Sequence, residues 1–80
     1  MIIEAKVFSN LRHYLPNSPH HLDGDKWYMP EGATVAQVLK MLNIPEDETK
    51  ILLINGRNAG KERVLNEGDV FHVFPVMAGG

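Results

Sequence analysis

Few residues of this chain could do chemistry by their type and spacing. There is no cysteine, which removes thiol catalysis, disulfides, iron–sulfur ligation and cysteine-based zinc sites together. The histidines are His13, His20, His21 and His72. His20 and His21 are adjacent, so an extended loop points them apart, and no i, i+4 helical pair of metal ligands is present. They read as surface or loop histidines, with no metal site expected. What remains is the run "FPVMAGG" at positions 74–80. Glycine orders at the highest entropic cost and brings no side chain to pack. Either this end is incidental, or something outside the protein needs a thin, bare tail.

The composition narrows the classes. Eighty residues make one domain with a modest core, and a hydrophobic share of 44% belongs to a folded chain. The net charge is −2 with both signs scattered, unlike the basic footprint of a nucleic-acid binder. No apolar run approaches the ~18 residues of a membrane span. "MIIEAKVF" is interrupted by Glu4 and Lys6, which argues against a secretory signal. A soluble, cytoplasmic protein with neither nucleic-acid nor membrane partners is expected.

The elements that would position a tail follow from the apolar pattern. Residues 2–8 alternate, with Ile3, Ala5 and Val7 on one side and Glu4, Lys6 and Phe8 on the other, the period of a half-buried strand. "SNLRHYL" predicts a short helical turn capped by Ser9 or Asn10, with Leu11, Tyr14 and Leu15 at helical spacing. Residues 16–25 are loop chemistry. "KWYM" is a short strand pairing antiparallel with the first, and Trp27 and Tyr28 read as packing residues. Thr34 at the N-cap and Gln37 three residues on form a capping box. Val35, Val38, Leu39 and Leu42 then make one apolar stripe, and Asn43 and Pro45 stop the helix. "KILLIN" predicts a buried strand, Asn55-Gly56 a hairpin turn, and "RNAG" a short edge strand. Gly68 can take positive φ in "LNEGDV", and "VFHVFP" closes as a strand.

One helix on one face of a mixed sheet is an α+β layout, and this order predicts a β-grasp, ubiquitin-like roll over residues 1–75 with a tail at 76–80. The first and last strands then lie side by side in mid-sheet. Phe71 and Val73 face the helix, while Phe8 and Phe74 point away and sit close together. They are expected to dock on a partner. The alternative is that loop 16–25 or the 9–15 turn folds over them.

Four stretches, "VFSNLR", "GATVAQVL", "LNEGDV" and the ending "FPVMAGG", together resemble the ThiS/MoaD family of ubiquitin-like sulfur carriers. The first and last look most like the branch of the molybdopterin synthase small subunit. Loop 16–25, with "SPHHLDGD", does not match the family pattern, and Asn58 stands near a position where the family has an apolar contact.

The resemblance implies a carrier rather than an enzyme, with no bound cofactor. An E1-like adenylating enzyme would use ATP to activate the Gly80 carboxylate. A sulfur donor would convert the acyl adenylate to a thiocarboxylate, delivered in a partner such as a molybdopterin synthase large subunit. Residues 76–80 can reach at most about 17 Å. Ala78 and Gly79 would thread the channel, and Pro75, which cannot donate a ladder hydrogen bond, would help release the tail. A thiamin-pathway carrier, a protein modifier conjugated through Gly80, and a plain β-grasp interaction module are the competing readings.

Overall fold

Strand β1, Ile2–Val7, lies parallel to the last strand, β5, Val70–Pro75, with Ala5 opposite Phe71 and Val7 opposite Val73. The computed structural model describes residues 1–76. Ala78, Gly79 and Gly80 lie outside the described residues. Strand β2, Lys26–Tyr28, flanks β1 antiparallel. Strand β3, Thr49–Ile54, flanks β5 antiparallel and turns at Asn55-Gly56 into β4, Arg57–Asn58. The sheet order is β2-β1-β5-β3-β4, so the β-grasp topology is the one observed.

Helix α1, Val35–Met41, is set by its ends. The Thr34 hydroxyl accepts the Gln37 N–H at 3.3 Å, and the Gln37 side chain accepts the Thr34 N–H at 2.9 Å, completing the capping box. At the other end Asn43 has φ +61, its N–H reaches the Lys40 carbonyl, and the Ile44 N–H reaches the Leu39 carbonyl. That pair of hydrogen bonds is a Schellman stop with asparagine in the place of glycine. Seven residues are too few to hold a helix in water alone, so packing must supply the rest. Val35, Val38, Leu39 and Leu42 are all fully buried, facing Ile3, Ala5, Val7, Phe71 and Val73 across the core.

The turns behave as their sequences require. Asn55 and Gly56 take φ +52 and +84, the pair of positive angles of a type I′ hairpin. Gly68 takes φ +82, and its N–H donates to the Ile2 carbonyl at 2.8 Å.

Three expectations are corrected. The helical turn over "SNLRHY" is a 3-10 helix, Ser9–Tyr14, whose cap position is held by Phe8 with no side-chain cap bond. Ser9 itself has φ +58, within the turn rather than before it. Strand β3 is not buried throughout. Only Ile54 is, while Ile51 is 44% exposed, because β3 has just a two-residue edge strand outside it and alternates between the two faces. Tyr28 is 49% exposed, opposite Ile2 on the face away from the helix, whereas Trp27 is buried as a packing residue should be.

Loop 16–25 closes the outer edge of β2. The Leu22 N–H donates to the Lys26 carbonyl and the Tyr28 N–H to the His20 carbonyl, blunting an edge that would otherwise invite strand pairing.

Candidate functional site

The sheet face opposite α1 carries the candidate site. Period-two alternation puts Phe8, His72 and Phe74 on that side, and the β3–β5 register places Ile51 beside Phe74 and Leu53 beside His72. The Phe8 and Phe74 rings stack at 4.5 Å between centroids with 2° between planes. His72 extends the arrangement at 6.0 Å from Phe8 and 6.3 Å from Phe74, with its plane within 8° of both. Phe8 is 37% exposed, and Phe74, His72 and Leu53 are half-buried. The rings lean on one another and on β3. Loop 16–25 is engaged at the β2 edge instead.

The backbone reason for this stack is specific. The Phe8 N–H donates to the Val73 carbonyl at 3.1 Å, carrying the β1–β5 ladder one residue past the end of β1. That brings Phe8 level with Phe74. A stacked pair of this kind contributes roughly 0.5–1.5 kcal/mol beyond the area it buries.

His72 differs from the rings around it. Its Nδ1 is buried and has no hydrogen-bond partner among the described residues. It lies between Lys6 and Leu53 in the sheet register. The Lys6 ammonium is held by Asp25 at 3.1 Å, on an exposed pair that contributes little to stability.

The other histidines do not converge. His20 stacks on Tyr28 at 6.1 Å, the His21 Nε2 meets the Gly24 carbonyl at 2.8 Å, and His13 lies 4.3 Å from the Tyr14 ring. Among the described residues no helix is long and apolar enough to cross a membrane.

The aromatic stack sits close to Val76, the last of the described residues. Phe74 is two residues before Val76, and the Val76 N–H donates to the Glu48 carbonyl at 3.1 Å. Pro75 therefore does not release the chain at once: it pairs in register with Thr49, and one more backbone bond follows it. Ile51, Leu53 and Asn58 share the open face, so Asn58 occupies its rim next to Leu53. The apolar run "KILLIN" hid Ile51 and Leu53 from sequence reading. Only the neighbouring register shows that alternate members of that run face away from the helix.

The family described as Mut7-C ubiquitin matches residues 1–79. Among solved structures, the crystal structure of SAMP1 from Haloferax volcanii superposes with a TM-score of 0.67 at 18% identity, covering 100% of each chain. That likeness is one of fold. No curated protein matches the chain.

Proposed function

The chain belongs to the Mut7-C ubiquitin family, a ubiquitin-like family of the ThiS/MoaD kind, and from that premise we propose that it is a sulfur carrier acting through the carboxylate of Gly80. One observation supports the reading: the Phe8–Phe74 stack lies on the open sheet face, with Phe74 six residues before Gly80. Docking of that face on an adenylating enzyme holds the body still while residues 77–80 enter the active site. Four residues span at most about 14 Å when extended.

The chemistry is that of acyl activation. A carboxylate is a poor acyl electrophile. Its oxygen attacks the α-phosphorus of ATP, pyrophosphate leaves, and an acyl adenylate forms. A hydrosulfide then adds to the carbonyl carbon, the C–O bond to AMP breaks, and a proton is lost, leaving a thiocarboxylate. Such covalent intermediates split one difficult step into two easier ones. The carrier supplies no acid, base or nucleophile. It supplies a docking face and a narrow tail, because residues without a Cβ let catalytic groups approach closely.

The reading extends to a pterin cofactor as the product, with a molybdopterin synthase large subunit as the acceptor and the cytoplasm, where ATP is available, as the compartment. The stretches "VFSNLR" and "FPVMAGG" support that branch over the thiamin pathway.

The test is intact-mass measurement after incubation with the cognate adenylating enzyme, ATP and sulfide. The expected result is a gain of about 16 Da, the exchange of oxygen for sulfur. A ladder of lysine conjugates with no such gain would assign the same adenylate to a protein modifier. No change of any kind would overturn activation at Gly80.

A further inference from the structure

Glu48 accepts two hydrogen bonds, one at its side chain and one at its backbone carbonyl. Its Oε2 accepts the Tyr14 hydroxyl at 2.7 Å. Its carbonyl accepts the Val76 N–H at 3.1 Å, the last backbone bond of the described chain. We infer that the Tyr14–Glu48 hydrogen bond is a positioning device that fixes where, and in which direction, the tail leaves the body. The inference rests on the carrier reading for its purpose, but not for its geometry.

The local structure shows why Glu48 needs such support. It closes a single 3-10 turn, Glu46–Glu48, whose other members Glu46 and Asp47 are exposed. The turn is held by the Glu48 N–H to the Pro45 carbonyl and by the Thr49 hydroxyl to the Glu46 carbonyl. Those bonds engage the Glu48 N–H and Thr49 but leave the Glu48 side chain untied within the turn, and one turn fixes several dihedrals for few bonds. Tyr14 supplies that tie from a turn packed on the core. Its ring packs against the core cluster beside Leu15, and its own 3-10 turn carries the fully buried Leu11.

The connection is continuous. Phe8 of the docking stack leads directly into the Ser9–Tyr14 turn, Tyr14 holds Glu48, and Glu48 holds Val76. The element that meets the partner is thus tied to the root of the tail. An error at Val76 would be passed on to the reacting carboxylate of Gly80. Misplacement of reacting groups by about 1 Å can cost about 100-fold in rate. The carboxylate of Glu48 also favours the protonated, donating form of Tyr14 and raises its pKa, so the bond is intact at neutral pH.

Two measurements test this. The first is amide hydrogen exchange at Val76 in the isolated protein. Tyr14→Phe keeps the ring and removes the donor, and Glu48→Ala removes the acceptor. Both should speed Val76 exchange by about tenfold, the change one hydrogen bond carries, with Phe71 and Val73 unaffected. Glu48→Gln retains an acceptor oxygen and should restore near-native exchange. The second is adenylation kinetics. Tyr14→Phe should lower kcat about tenfold while leaving the KM for the carrier unchanged, because the docking face is intact, and Glu48→Gln should rescue kcat.

Unchanged Val76 exchange in both Tyr14→Phe and Glu48→Ala would overturn the inference and leave the carrier reading standing. Faster exchange with an unaltered kcat would equally overturn the positioning role. Faster exchange in a protein whose native form takes no sulfur would sink the carrier reading while confirming that Tyr14 fixes the tail's exit.

Discussion

Phe8 and Phe74, from opposite ends of the sequence, lie face to face at 4.5 Å and 2°, on the side of the sheet that the helix leaves uncovered. The parallel pairing of β1 with β5 puts them there, with Phe74 two residues before Val76, the last of the described residues. Phe74→Ala should weaken binding to the adenylating enzyme by about 10- to 100-fold, since burying such a ring is worth roughly 1.5–3 kcal/mol. The fold should lose about 1–3 kcal/mol, the share of the stack together with the ring area already buried, well short of unfolding it. Titration calorimetry and thermal melting on the same variant separate the two. A collapsed melting temperature with native affinity would assign the ring to the core.

Helix α1 is held by its buried face. Leu39→Ala should cost about 2–5 kcal/mol, a large part of the 5–15 kcal/mol typical of a domain. Denaturant unfolding measures it. An unaltered midpoint would mean that the residue is not in the core.

Asn55 does more than turn the chain. Its Oδ1 accepts the Val70 N–H at 2.9 Å and its Nδ2 donates to Asp69 at 2.9 Å, while Asp69, itself buried, also accepts the Asn66 N–H at 2.7 Å. Asn55→Gly tolerates the positive φ and loses only these bonds. Asn55→Ala loses the bonds and strains the backbone as well. The glycine variant should cost about 1–3 kcal/mol and the alanine variant measurably more. Equal stability of all three proteins would show that the network contributes nothing.

Stability should fall on the alkaline side through Tyr14. Hydrogen bonding to Glu48, then burial, then the charges of Glu48 and Asp47 raise its pKa above the ordinary value near 10. The folded protein therefore holds that proton more tightly than the unfolded chain. The contribution is fully present below about pH 10 and is lost as pH rises through the folded value. Melting temperature against pH should show this limb in the native protein and a flatter one in Tyr14→Phe. Superimposable curves would discount the bond.

On the proposed activation at Gly80, one residue added after it should abolish sulfur loading, because the reacting carboxylate would be displaced by about 3.5 Å. Deleting Gly80 should do the same. Neither change should alter the melting curve by more than a degree or so, as chain ends contribute little to a core. Intact mass is the readout, and normal loading of the extended protein would eliminate the terminus as the reacting group.

Short-range rules were legible in the sequence alone. The capping box of Thr34 and Gln37, the stripe of Val35, Val38, Leu39 and Leu42, the Asn55-Gly56 hairpin and the positive φ of Gly68 each depend on residues within a few positions of one another. Period and turn chemistry carry that information directly, and the strand order followed from it. The outward parity of Phe8 and Phe74 was legible too, since alternation is a local property. What only the tertiary structure decided were the partnerships. Nothing near Tyr14 in the chain announces Glu48, and nothing near Asn55 announces Asp69. The exposure of Ile51 depends on its having only a two-residue strand beyond it. Such pairings are set by the register of distant strands and by where a sheet ends, and a single sequence records neither.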